Sequence, residues 1–123
     1  MTGSADMIDS VAVKEQVIST LDEHKAIEIT CISLHGHTQI ADEMIICTAL
    51  STRHAQALAD KLQRALKTAG ISVFGIEGQD SGEWILVDVS DVIVHIMLKD
   101  ARAFYQLEAL WPSEQSPASV NEN

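Results

Sequence analysis

Two aliphatic runs separated by a Ser-Asp pair, at residues 83–96, constrain the fold of this chain more than any other feature. The stretch reads EWILVDVSDVIVHI, and β-branched residues recur at every second position on both sides of Ser90-Asp91. Alternation with a period of two is typical of β-strands, and a two-residue loop joins antiparallel neighbours. The stretch therefore predicts a β-hairpin that turns at Ser90-Asp91.

The two faces of this hairpin are predicted to differ. One face is wholly aliphatic, so we expect helices to cover it, whereas the other face carries Trp84, Asp88 and His95. Trp is enriched at interface cores but also occurs in ordinary cores. Two interpretations therefore stay open for the mixed face: the last helix covers it, or another protein does. The expected pairs are Val89–Val92, Val87–Val94 and Ile85–Ile96 on the aliphatic face, and Asp88–Ile93, Leu86–His95 and Trp84–Met97 on the mixed face.

Periodicity along the rest of the chain predicts the element order α-β-β-α-β-β-β-α. The most amphipathic stretch is a helix that Ser51 or Thr52 can cap and that Gly70 ends. A last helix is expected over residues 100–111. These patterns predict one α/β (α+β) domain over residues 10–111, with a mixed five-stranded sheet and flanking helices. Residues 1–9 are predicted to be a flexible N-terminus, and residues 112–123 a disordered C-terminal tail.

The charge balance restricts the class of partner. Acidic side chains number 18 against 8 basic ones, which gives a formal net charge of −10. Phosphate binding needs clustered Lys and Arg, so we expect no binding of free nucleic acid and an attraction to basic protein surfaces. Cys31 and Cys47 are predicted to be buried free thiols, and no signal peptide or membrane-length apolar run is apparent, which predicts a cytoplasmic protein.

Polar residues give weak support for a metal site. Asp88 and Asp91 lie on either side of the predicted turn and His95 lies in mid-strand, so the three do not converge. His35 and His37 form a pair without a Cys or carboxylate partner. We therefore predict no metal ion, no cofactor and no catalytic residue.

Two helix segments offer candidate contact residues. Arg53 and His54 lie in the first turn after Ser51, where they oppose the helix dipole, and this favours a role in contacts. In the last helix, Arg102 and Tyr105 form an outer stripe that Glu108 continues. This stripe is interpreted as a recognition strip or as an ordinary solvated face. The residues expected to face the core are Ala103, Phe104, Leu107, Leu110 and Trp111.

A set of short motifs lies within residues 77–111. They are Glu77-Gly78, Trp84, Asp88, Asp91, Val94-His95, Arg102, Phe104-Tyr105, Leu107-Glu108 and Leu110-Trp111. Upstream, the segments HKAIEI and ADEMIICTALSTRHAQALAD add to the set. Together these motifs resemble the ribosomal silencing factor family, also called Iojap-like, over residues 21–111. The chain departs from the family pattern at Ala49-Leu50, Glu28, Ser33 and Ser90; at the last position Ser replaces the Gly that opens the turn, so Ser90 would need a positive φ.

The resemblance implies a fold similar to nucleotidyltransferases without their catalytic residues. It also implies binding to the large ribosomal subunit through ribosomal protein L-fourteen, a steric block of subunit joining, and lower translation when nutrients are scarce. No membrane partner is expected, and a homodimer of the free protein stays open. The expected partner-binding residues are Trp84 and Tyr105 as apolar anchors, Asp88 and Asp91 facing Lys or Arg, and Arg102 and Glu108.

An enzyme is the alternative hypothesis. The nucleotidyltransferase-like element order and the acids Glu77, Asp88 and Asp91 would suit a metal-dependent transferase. Such an enzyme needs its carboxylates close together to bind Mg²⁺. Calorimetry with Mg²⁺ or Mn²⁺, with and without nucleotide, separates the two hypotheses.

Overall fold

The helices and strands follow one another in the predicted order. The computed structural model describes residues 10–34 and 41–109. The predictions for residues 1–9 and 112–123, and those for His35 and His37, lie outside the described residues. The elements are α1 (Ser10–Glu23), β1 (Ile27–Ser33), β2 (Glu43–Ala49), α2 (Thr52–Thr68), β3 (Val73–Glu77), β4 (Trp84–Val89), β5 (Val92–Leu98) and α3 (Lys99–Tyr105), followed by a 3-10 turn at Leu107–Ala109.

The five strands form one mixed sheet in the order β1-β2-β5-β4-β3. β2 and β5 run parallel, and the other three neighbouring pairs are antiparallel. A parallel pair needs a long crossover connection, and here the crossover contains α2, β3 and β4. The predicted fold class, a mixed five-stranded sheet with flanking helices, is confirmed.

The β4–β5 hairpin has the predicted register, with all six expected pairs in place. Ser90 adopts a φ of 52°, in the left-handed region, as its position in the turn requires. The carbonyl oxygen of Asp91 accepts hydrogen bonds from the backbone N–H groups of Asp42, at 2.8 Å, and Glu43, at 3.1 Å. The turn is therefore tied to the start of β2.

Helices α1 and α2 cover the aliphatic face of the sheet and form the larger core with it. The Ser51 side chain accepts from the backbone N–H of His54 and caps α2, and Gly70 follows the helix with a φ of 79°. Cys31 and Cys47 are buried free thiols, as predicted. This core includes Val13, Val17 and Leu21 of α1, Ala55, Leu58, Ala59, Leu62 and Leu66 of α2, and Ile45, Ile85, Val87, Val94 and Ile96 of the sheet.

A smaller cluster lies on the opposite face of the sheet, where α3 packs. None of the α3 residues is fully buried. This helix therefore leaves part of the face accessible. The buried members of the cluster are Ile32, Leu34, Ala41, Met44, Ile46 and Met97, with Trp84, Ile93, Ala101 and Leu107 partly buried against them.

The last helix is shorter than predicted. It ends at Tyr105 because Gln106 adopts a left-handed conformation with a φ of 47°, which interrupts helical spacing. The expectation that Ala103 and Phe104 face the core is wrong: both are exposed, Phe104 to 78%. Leu107 is partly buried as expected, whereas residues 110 and 111 lie outside the described part of the chain.

Strand β1 contains an irregularity at a position that the sequence does not reveal. The register with β2 shifts between Ile27 and Thr30, and Glu28 has a φ of 51°. Cys31 and Ile32, which are neighbours in this strand, belong to the two opposite clusters. β1 is therefore buried on both faces there, and its bulge lies nearer its start. None of the described helices is long and apolar enough to cross a membrane.

Candidate docking surface

Trp84 opens β4 and is fixed by a hydrogen bond to the neighbouring strand. Its indole Nε1–H donates to Nδ1 of His95 at 2.9 Å. His95 is only 7% exposed, and this burial lowers its pKa to about 4. A neutral ring accepts at Nδ1 only when its proton is on Nε2, so the bond also fixes the tautomer. His95 is therefore a structural residue bonded within the sheet.

Three aromatic rings follow one another from the sheet to solvent. The ring centroids of Trp84 and Tyr105 lie 4.6 Å apart, and Phe104 meets Tyr105 edge-on at 4.9 Å. Tyr105 is 50% exposed, and Phe104 more so. Exposed aromatic rings in contact with each other form a pre-ordered apolar surface, since each ring limits the motion of the next.

The start of β4 is held in position from two sides. Gly78 has a φ of 88°, and a Cβ there would collide with the carbonyl oxygen of Trp84. On the other side, the backbone N–H of Leu98 donates to the carbonyl oxygen of Glu83 at 3.0 Å. The Glu77-Gly78 motif therefore has a local purpose, because only glycine lets the turn approach Trp84 this closely.

Strand alternation places Leu86 and Asp88 on the same face as Trp84, and Ile93 lies opposite Asp88 on β5. All four side chains are partly exposed. We call the surface formed by Trp84, Leu86, Asp88, Ile93, Phe104 and Tyr105 the docking face. It combines aromatic and aliphatic groups with a carboxylate, the composition of an interface core with a polar margin.

Arg102 is not part of an outer stripe with Tyr105, and that expectation is wrong. Its guanidinium is turned to the sheet, where it donates to Thr48, Thr30 and the Glu28 carbonyl oxygen. The reason is the left-handed backbone conformation of Glu28 in β1, which brings acceptors within reach of α3. Spacing within one helix carries no information about acceptors on a distant strand.

The remaining predicted partner-binding residues lie apart from the aromatic end of the docking face. Asp91 is exposed in the hairpin turn, beyond the end of the strand that carries Trp84. The side chain of Glu108 lies outside the described residues. The structure therefore brings together Trp84, Asp88 and Tyr105 on one face, and leaves Asp91 at its far margin.

Histidines near the start of α2 have structural partners. His54 Nδ1 accepts from the backbone N–H of Leu50 at 2.9 Å, and its Nε2 lies 3.1 Å from the carbonyl oxygen of His24. Both ring nitrogens are thus engaged in the fold, whereas Arg53 is exposed. Within residues 10–34 and 41–109, no group of three or more His, Cys, Asp or Glu side chains could hold a metal ion.

The exposure of Phe104 is the main feature of this surface that the sequence did not predict. The predicted helix over residues 100–111 placed Phe104 on its core side. The left-handed Gln106 shortens the helix and leaves the ring beside Tyr105, facing solvent. Helical spacing gave no signal of this arrangement, because a positive φ at a non-glycine residue such as Gln106 is not encoded in the spacing of apolar residues.

Comparison with known proteins identifies the family. A family model described as "Ribosomal silencing factor during starvation" matches residues 7–123. The chain belongs to the ribosomal silencing factor family. A family member from Haemophilus influenzae, "Ribosomal silencing factor RsfS", is 46% identical over 101 residues, which cover 82% of this chain and 99% of that protein.

A solved structure and a protein with a mitochondrial name are also similar to this chain. A crystal structure of a protein from Chromobacterium violaceum superposes with a TM-score of 0.83 at 38% identity, covering 86% of this chain and 88% of that one. The mouse protein "Mitochondrial assembly of ribosomal large subunit protein 1" is 31% identical over 112 residues, which cover 89% of this chain and 49% of that protein. The silencing factor fold is thus the mixed sheet with three helices described above.

Proposed function

We propose that this silencing factor binds the large ribosomal subunit through its docking face and acts as a non-catalytic, cytoplasmic repressor of translation. The observation that carries the proposal is the exposed Tyr105 packed against the partly exposed Trp84 on the sheet, in a chain of this family. The name of the mouse relative, which refers to the large ribosomal subunit, supports the same class of partner.

The chemistry of the chain favours a basic protein as the direct contact. With a net charge of −10, the chain is repelled by the phosphates of bare RNA and attracted to Lys and Arg side chains. Asp88 supplies a carboxylate on the same face of β4 as Trp84. The resemblance to the family implies that this partner is ribosomal protein L-fourteen, at the face where the small subunit joins. Occupying that face blocks subunit joining by steric exclusion and lowers translation when nutrients are scarce.

The arrangement of the docking face agrees with how binding energy is distributed at interfaces. A few Trp, Tyr and Arg residues in central positions supply most of it, surrounded by contacts that exclude water. Here Tyr105 and Phe104 project to solvent, while Leu86 and Ile93 provide an aliphatic surround. Because Trp84 is already held by His95, little side-chain entropy is lost when a partner covers it.

Sedimentation of the purified protein with separated ribosomal subunits tests the proposal. The protein should co-sediment with large subunits, and it should reduce the formation of joined ribosomes when small subunits are added. Co-sedimentation with small subunits alone, or with neither subunit, contradicts the proposal.

Replacement of Tyr105 tests the surface. Tyr105→Ala should weaken large-subunit binding about thirtyfold, because removing a central anchor costs ~2 kcal/mol or more. Phe74→Ala is a matched control, since Phe74 is also a strongly exposed aromatic residue but lies on β3, outside the docking face. Both variants should keep wild-type circular dichroism. Equal affinities of Tyr105→Ala and wild type would place the contact elsewhere, with Arg53 at the start of α2 as the next candidate.

A further inference from the structure

Arg102 connects α3 to strands β1 and β2 of the sheet. Its Nη1 donates to the carbonyl oxygen of Glu28 at 2.7 Å and to Oγ1 of Thr48 at 3.0 Å, and its Nη2 donates to Oγ1 of Thr30 at 2.9 Å. One guanidinium thus joins the last helix to strands β1 and β2. Hydrogen bonds from a charged donor are stronger than those between neutral groups.

The bulge in β1 creates one of these acceptors. Ile27 pairs with Thr48 and Thr30 pairs with Ile46, so Glu28 lies in the irregular segment between paired residues. Its left-handed φ redirects the backbone at this point. The Glu28 carbonyl oxygen can therefore accept from Arg102, and the bulge has a specific structural use.

Helix α3 has few other attachments. It contains seven residues, its N-cap Leu98 provides no side-chain hydrogen bond, and none of its residues is fully buried. Helices this short are not stable on their own in water. Besides the partial burial of Ala101 and Leu107 and the ring contact between Tyr105 and Trp84, the Arg102 hydrogen bonds are the polar contacts that the described residues offer to hold α3 on the sheet.

We propose that Arg102 is a positioning residue for ribosome binding: by fastening α3 to the β1 bulge and to Thr48, it holds Tyr105 against Trp84 in the arrangement that the partner recognises. Arg102 acts through Tyr105 and does not itself touch the partner. This inference rests on the proposed function for its binding consequence, but its effect on α3 is a property of the free protein.

Hydrogen exchange of the free protein tests the first part. Arg102→Met keeps the aliphatic stem and removes all three hydrogen bonds. The backbone N–H of Gln106, which donates to the carbonyl oxygen of residue 102 at the end of α3, should then exchange about tenfold faster, as expected for the loss of charge-assisted bonds. Exchange in the middle of α2 should not change. Unchanged exchange at Gln106, or an equal rise in α2 and α3, contradicts the proposal.

A buried partner of Arg102 provides a second test. Thr48 is 6% exposed and cannot touch the ribosome, so Thr48→Val removes one acceptor without altering the docking face directly. Large-subunit binding should nevertheless weaken several-fold. Thr20→Val is the matched control: Thr20 is 4% exposed and donates to the Gln16 carbonyl oxygen within α1 on the opposite face, so this variant should bind like wild type. Equal binding of both variants contradicts the proposal.

A double-mutant cycle separates positioning from direct contact. Arg102→Met should weaken large-subunit binding about tenfold in the wild type and have almost no further effect in Tyr105→Ala, because both changes remove the same contact. Additive losses would show that Arg102 touches the partner and would overturn the proposal. If wild type fails to bind large subunits, the proposed function fails, while the exchange of Gln106 still decides whether Arg102 fastens α3.

Discussion

The two faces of the sheet show how one hairpin can serve stability and recognition separately. On the face under α1 and α2, β4 and β5 contribute only aliphatic side chains, and all of them except Leu98 are fully buried. On the other face, the same strands contribute Trp84, Asp88 and His95, and a helix of seven residues covers them in part. Alternation along a strand assigns every second residue to one role, so either face can change without disturbing the other.

The faces also differ in the forces that order them. The face under α1 and α2 is ordered by burial of aliphatic surface, an interaction that is strong but has no preferred direction. The face that carries α3 depends on directed contacts: the bond from Trp84 to His95, the ring contact with Tyr105, and the guanidinium of Arg102. A recognition surface needs fixed directions more than it needs large stabilisation, and the structure supplies them where the core is thin.

The largest expected effect is a loss of stability when the core under α1 and α2 is changed. Leu62 is fully buried between α2 and the sheet, so Leu62→Ala should lower the free energy of unfolding by ~2–5 kcal/mol through lost burial and a residual cavity. Chemical denaturation measures this change. Leu50→Ala makes the same replacement at a residue that is 73% exposed, and it should change stability by less than ~0.5 kcal/mol. Folded Leu62→Ala should bind large subunits like wild type; a weaker intrinsic affinity would mean that the faces are coupled.

The next effect is a pH dependence that belongs to the docking side. The pKa of His95 is lowered from 6.5 to about 4 in the fold, so between these values the unfolded chain binds a proton that the folded chain does not. Stability therefore falls as the pH is lowered through this window, by a total of ~3 kcal/mol, and the loss is complete below about pH 4. His95→Gln removes the titrating group and should show a shallower dependence in denaturation measured from pH 7 to pH 4. Parallel slopes for the two proteins would contradict this assignment.

The smallest effect concerns charge at the edge of the docking face. Asp88→Lys should slow association with large subunits and weaken its dependence on salt, with little change in stability, because a marginal charge acts mainly on the encounter. Asp22→Lys makes the same charge change on α1, away from the docking face. Stopped-flow or surface-based kinetics at two salt concentrations measure both. If the two variants slow association equally, only the net charge matters and Asp88 has no local contact.

Much of the fold was predictable because its strongest signals are local. The period-two pattern around Ser90-Asp91 determined the register of β4 and β5, and the departure from glycine at Ser90 predicted the positive φ observed there. Capping chemistry predicted the start of α2 at Ser51 or Thr52, and Ser51 is the cap in the structure. The parallel pairing of β2 with β5 was not predicted, since it joins segments far apart in the chain and no local pattern encodes it.

The docking face was predictable only in part for the same physical reason. Trp84 and Asp88 follow from strand alternation, so their shared face could be read from the sequence. The turn of Arg102 to the sheet depends on the bulge at Glu28, and the exposure of Phe104 depends on the left-handed Gln106. Both features come from non-glycine residues with a positive φ, which propensity alone does not predict.

The pairing of β2 with β5 has a consequence for the synthesis of this chain. β2 pairs with β1, the strand before it in the chain, and all seven of its residues are buried, yet its second edge pairs with β5. That partner leaves the translating ribosome only after α2, β3 and β4 have been made. Until then an apolar strand keeps one open edge, a condition that slows folding and favours aggregation of the nascent chain. A chain that stops before Val92 therefore cannot complete its sheet, and native structure arrives only when the last strand does.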